Sequence, residues 1–194
     1  MNARFDTRGW LRWVGTFVGF PLAGLAAKAV TGPIDSTLAA VAGGLAAGAV
    51  RGGVQAVALR LDLQHRVAWA LATALGASAG LAVGSTVVDF STDTSSLVAM
   101  GALTGLGIGV AQAAVMIASP LRRVIWGVVT PMLWALGWLI TSQVIVDVDA
   151  QYATFGASGA LVATLLGGVV LAVRPATANS STIVGASRSF SGVR

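Results

Sequence analysis

The sequence predicts an all-α polytopic membrane protein, a bundle of six transmembrane helices built as three two-helix units about a pseudo-threefold axis. Three observations predict it. The chain of 194 residues is 56% hydrophobic and only 10% charged, against about 25% charged in an ordinary globular domain. Its apolar residues fall into six runs, each close to the roughly 20 residues a helix needs to cross the hydrocarbon core. Its arginines, Arg51 apart, fall at the ends of those runs or outside them on one side, and five of its seven aspartates fall in the intervening connections on the other.

The runs lie at about 10–30, 38–59, 67–88, 97–118, 124–146 and 155–173. They leave residues 1–9 as a short N-terminal segment, 10–174 as one membrane domain and 175–194 as a tail. That tail is rich in Ser and Thr and lacks apolar periodicity, so a disordered cytoplasmic segment is expected. Residues 13–27 after a basic start also read as a signal peptide, but this first run shares its pattern with later ones and is taken as a span.

Charge placement sets the expected orientation. Arg4, Arg8 and Arg12 precede the first span, Arg60 and Arg66 follow the second, and Arg122 and Arg123 follow the fourth. Arg174, Arg188 and Arg194 follow the sixth. Asp35, Asp89, Asp93, Asp147 and Asp149 occupy the other side. Cytoplasmic loops collect Lys and Arg, so both termini are expected in the cytoplasm and the bundle in the inner (cell) membrane. The net charge of +5 therefore marks a membrane side, and no nucleic-acid partner is expected.

An internal match underlies the three units, at about 10–60, 66–118 and 123–174. A shift of 57 residues lays Gly44, Gly48, Gly52 and Gln55 on Gly101, Gly105, Gly109 and Gln112. The same shift lays Arg66, Trp69, Thr73, Gly80 and Ser85 on Arg123, Trp126, Thr130, Gly137 and Ser142. Trp13 and Gly24 keep the separation of Trp69 and Gly80. Gly159, Ala163 and Gly167 echo the glycine series, with Val170 where the glutamine would stand. Units of two spans keep one orientation, so the repeat is parallel and its axis runs along the membrane normal.

Helices of the form G-x3-G-x3-G-x2-Q, followed by a basic turn and then Trp, resemble those of uncharacterised bacterial multi-pass membrane proteins. The residues carrying this are Gly44, Gly48, Gly52 and Gln55, with Gly101, Gly105, Gly109 and Gln112, within residues 38–145. The resemblance implies a membrane fold and brings no activity with it.

Glycines four apart lie on one slowly drifting helix face. Gly44, Gly48 and Gly52 form one such face, Gly76, Gly80 and Gly84 another, and Gly101, Gly105, Gly109 and Gly137 continue the pattern. Such faces let backbones approach closely in lipid, within the chain or against a partner subunit. Arg51 and Gln55 each lie about 20° from the Gly44 direction at 3.6 residues per turn, so both point with the glycine face. An intramembrane charge is expensive and a functional candidate. Arg51 either snorkels to the surface or, with Gln55 and Gln112, binds an anion, a lipid headgroup or a partner. Asp35, Asp89 and Asp147 each follow an odd-numbered span, and would form an acidic ring at an outer mouth unless they serve only as loop and cap residues. Trp13, Trp69 and Trp126 read as membrane-interface anchors.

There is no Cys, and one His, His65. No catalytic residue, metal or cofactor is expected. The favoured reading is a non-enzymatic structural or accessory subunit, packing in the bilayer against other membrane subunits or itself through its small-residue faces. The alternative is a small-solute or ion transporter or channel.

Overall fold

The computed structural model describes residues 3–144 and 153–175. Asp147, the third position of the expected acidic ring, and the tail beyond residue 175 lie outside the described residues. The first span is broken: α1 (Thr7–Val14) passes through a 3-10 turn (Gly15–Val18) into α2 (Gly19–Thr31). Pro21 lacks the N–H that would bond one turn back, and Gly15 opens the tightened turn while Gly19 follows it. Then follow α3 (Thr37–Ala58), α4 (Leu63–Val87), α5 (Thr94–Val115), α6 (Pro120–Ser142) and α7 (Ala157–Ala172).

Helix ends follow capping chemistry. Ser36, Asp62 and Asp93 accept from backbone N–H groups in the first turns of α3, α4 and α5, satisfying donors that no helical carbonyl reaches. Pro120 opens α6, where a missing N–H costs nothing. Gly32 ends α2 with φ at +67°, a backbone region that glycine alone enters freely.

Five segments, of 22 to 25 residues, are long and apolar enough to cross a membrane, counting α1 through α2 as one. The sixth, α7, has 16 residues and rises about 24 Å at 1.5 Å per residue. Large apolar side chains such as Leu71, Leu75, Val110, Val128 and Met132 are exposed along the outside. The buried faces of α4 and α5 are rich in Ala, Gly, Ser and Thr. This is the distribution of an integral membrane protein, where lipid takes the large residues and close backbone packing the small ones.

Each helix packs against its neighbours in sequence, and α7 packs against α1, so the bundle closes into a ring. Closure is fastened by a two-stranded antiparallel ladder, β1 (Ala3–Phe5) with β2 (Val173–Pro175). Asp6 N donates to Ala172 O at 3.0 Å, and Trp10 Nε1 to Leu165 O at 3.2 Å. Arg122 Nη2 donates to Leu171 O at 2.8 Å and to Val173 O at 2.7 Å, holding carbonyls that the end of α7 leaves unpaired. The first and last spans thus begin and end on the same, arginine-bearing side of the bundle.

The glycine faces are used inside the ring. A methyl group on Gly44 would lie 2.6 Å from Ser78 Cα, on Gly48 2.6 Å from Ala74 Cα, and on Gly52 2.9 Å from Ala70 Cα. On α5, Gly105 and Gly109 meet Pro131 Cα at 2.8 Å and Thr130 Cβ at 2.9 Å. Gly80 and Gly84 meet Thr104 Cα at 2.7 Å and Met100 O at 2.9 Å, and Gly137 meets the Phe155 ring at 2.8 Å. Gly76 and Gly101 are equally tight against α5 and α6.

A buried arginine in the centre of the ring

The interior is closed by long side chains from α2, α3 and α6 and from Phe155, just before α7. Arg51 of α3 is 3% exposed. Its guanidinium carbon stands 4.4 Å from the Trp134 ring centroid and 5.4 Å from that of Phe20. Phe20, Trp134 and Phe155 stack around it, with Phe155 4.9 Å from each of the other two ring centroids. Nε and Nη2 of Arg51 are buried and have no hydrogen-bond partner among the described residues.

Helix geometry explains why Arg51 does not snorkel. Every Cα–Cβ bond in a helix tilts toward the N-terminus. The N-terminus of α3 lies on the aspartate side, so Arg51 is thrown deeper into the bundle, away from Arg60. The reading of a charge reaching back to the arginine-bearing surface is corrected accordingly.

One turn closer to that surface lies a polar network. Gln55 Oε1 accepts from Trp69 Nε1 at 3.2 Å and from Gln112 Nε2 at 2.9 Å. Gln112 Nε2 also donates to Thr73 Oγ1 at 2.8 Å, and Gln112 Oε1 accepts from Trp126 Nε1 at 2.9 Å. Thr73 and Thr130 each donate to the carbonyl oxygen four residues back, Trp69 O and Trp126 O, both at 2.7 Å. Gln55, Gln112, Trp69 and Trp126 are all buried.

The tryptophans therefore do not act as interface anchors. Trp13, Trp69 and Trp126 are 5%, 2% and 3% exposed; two donate to glutamines, and Trp13 packs edge-on against Trp126 at 5.5 Å. For Trp69 and Trp126 the indole acceptor lies inside the bundle rather than in the headgroup layer. The signal was present in the sequence as a glutamine 14 residues before each of two tryptophans.

Arg51, Gln55, Gln112, Trp13 and Trp126 all line one cavity, with Thr16, Thr130 and Thr164 among its other walls. About 30 Å³ of it is open to the centre of a water-sized sphere, room for about two waters. The three threonine hydroxyls donate to carbonyls of their own helices, Trp13 O, Trp126 O and Ala160 O.

This chain matches no known protein-family model, no curated protein and no solved structure.

Other sequence candidates lie away from this centre. Asp35 and Asp89 are exposed on the loops of the aspartate side. Asp93 caps α5, accepting from Ser91, Ser95 and Ser96, which holds its carboxyl well below the usual carboxylate range. His65 Nδ1 lies 2.6 Å from Asp62 Oδ2, and the His65 backbone N–H, followed by its ring, lowers the Asp62 carboxyl. Among the described residues no group of acidic, Cys or His side chains could hold a metal ion.

Proposed function

We propose that this protein is a small-anion transporter or channel whose binding site is the cavity at Arg51. The observation that carries the reading is the buried Arg51 guanidinium, whose Nε and Nη2 lack acceptors among the described residues. A guanidinium stays protonated at neutral pH, and an uncompensated charge inside a bundle is costly enough to mark function. An anion in the adjoining cavity supplies both the countercharge and the missing acceptors.

Contacts at an offset of 57 residues support a duplicated architecture. Trp69 donates to Gln55 as Trp126 donates to Gln112. Arg66 Nε donates to Leu61 O as Arg123 Nε donates to Ala118 O. Gly48 meets residues 74 and 77 as Gly105 meets residues 131 and 134. With the first span (α1 through α2) as the diverged counterpart of α4 and α6, and α7 as that of α3 and α5, three two-helix units complete a pseudo-threefold ring around the anion. The arginine-bearing side, with both termini, faces the cytoplasm of a cell whose inner membrane holds the protein.

An accessory-subunit role through the small-residue faces has less support. Those faces meet neighbouring helices of the same chain at distances that leave no room for another.

Proteoliposomes loaded with potassium nitrate and diluted into gluconate test the reading. Wild-type protein should release nitrate at least tenfold faster than empty vesicles, and Arg51→Met should return flux to that background. Equal flux from wild type and Arg51→Met would end the proposal.

A further inference from the structure

Trp13 and Val170 carry the argument one step beyond Arg51, and this step rests on the anion site proposed above. Trp69 and Trp126 have their N–H groups satisfied by a glutamine on the preceding helix. Around the ring, the helix before α1 is α7. The glutamine position of α7 is Val170, which packs in the same apolar cluster as Trp13. Trp13 Nε1 is accordingly buried with no partner among the described residues, and it lines the same cavity as Arg51. A fully buried N–H without an acceptor is disfavoured by roughly the desolvation cost of the group. With valine at that position, a second unpartnered donor lines the cavity that Arg51 lines.

We infer that the site takes a monovalent, weakly hydrated anion of a few atoms, such as nitrate or chloride, held between the Arg51 guanidinium and the Trp13 indole N–H. Charge sets the valence. Among the described residues, Arg51 is the one cationic side chain on the cavity wall, and no acidic side chain lines it. A monovalent anion gives a neutral pair, while a divalent one would leave a net buried charge. Size fits the class, since about 30 Å³ for a water-sized centre, about two waters, is room for a halide or a small planar oxyanion. Wall chemistry sets the hydration. The faces of Phe20 and Trp134 and the side chains of Ile108 and Leu133 offer no hydrogen bonds, so an anion that gives up water readily is preferred.

The test is thermal unfolding of the protein in nanodiscs, titrated with potassium nitrate, chloride or sulfate at constant ionic strength in gluconate. A ligand that binds only the folded state raises the midpoint along a saturable curve. Nitrate and chloride should do so and sulfate should not. Trp13→Phe keeps the ring and removes the N–H, so nitrate affinity should fall about tenfold, the weight of one charge-assisted hydrogen bond. Val170→Gln should also weaken nitrate, because the amide then occupies the indole N–H as in the other two units. Arg51→Met should show no saturable response. Sulfate binding as tightly as nitrate would overturn the valence. Wild-type affinity in both Trp13→Phe and Val170→Gln, with loss in Arg51→Met, would overturn the role of Trp13 and leave the Arg51 site standing. An unchanged nitrate response in Arg51→Met, or none in wild type, would overturn both. If Arg51→Met does not assemble, the Trp13→Phe and Val170→Gln curves decide.

Discussion

Gln112 Nε2 donates to Gln55 Oε1 at 2.9 Å, so two glutamines 57 residues apart in the chain join across the ring from α5 to α3. Each also serves an indole, Trp126 and Trp69 respectively. Removing one amide strands buried partners on both sides. Gln112→Leu should destabilise the folded bundle by about 1–3 kcal/mol, with Gln55→Leu in the same range. The double variant should cost clearly less than the sum, because the two changes break a shared bond. Reversible unfolding in bicelles measures all three, and strict additivity would show the network to be energetically uncoupled.

Close approach makes a second contrast. Gly48 abuts the α4 backbone, whereas Gly53 has nothing within 4 Å of an added methyl. Gly48→Val should destabilise by about 1–3 kcal/mol or more by forcing α3 off α4. Gly53→Ala, in the same helix, should be neutral or stabilising by up to about 1 kcal/mol, since alanine loses less backbone freedom. Comparable losses for both would mean that helix propensity, not packing, governs these positions.

The cost of burying Arg51 predicts opposing effects on stability and function. Taking an unpaired charge out of water costs several kcal/mol, a cost that an apolar side chain of similar length does not carry. Arg51→Met should therefore unfold at a higher temperature than wild type in gluconate while losing its nitrate response. A lower midpoint would instead show that the guanidinium's contacts with Trp134 and Phe20 outweigh its desolvation.

Acid should loosen α5 locally. Hydrogen bonds from Ser91, then Ser95 and Ser96, lower the folded-state pKa of Asp93. A depressed carboxylate contributes stability that is full above the unfolded value near 3.9 and is lost as pH falls through the lower folded value. Amide exchange at Ser96, whose N–H bonds Asp93 at 3.0 Å, should stay protected relative to Asp93→Ala at pH 5 and converge with it only well below pH 4. Convergence already at pH 5 would contradict the depressed pKa.

Helix number and the glycine faces were legible because both depend on local periodicity. The four-residue spacing of Gly44, Gly48 and Gly52 is enough to name a packing face. The alternation of Arg and Asp loops is likewise a count along the chain. The destinations of Trp69 and Trp126 were not legible from their positions near span ends, because an indole suits a headgroup layer and a buried acceptor equally well. Only pairing each with its glutamine decides between them. The helical period puts Arg51 on the glycine-bearing face, but its depth depends on the Cβ tilt, which points it away from the nearer surface. The 3-10 turn and the β1–β2 ladder have no periodic signature, and ring closure depends on contacts between α1 and α7 at opposite ends of the described chain.

That ladder sets Ala3 opposite Pro175, so a short covalent linker could join the two positions without disturbing the ring. A circularly permuted chain, opened at the loop between α2 and α3 or between α4 and α5, should then trace the same closed circuit. An opening on the aspartate side would move both ends across the bilayer, while one at Arg60 or Ser119 would keep them where they are. In such a molecule the starting point of the polypeptide sets the sidedness of its ends, while the anion would see the same walls.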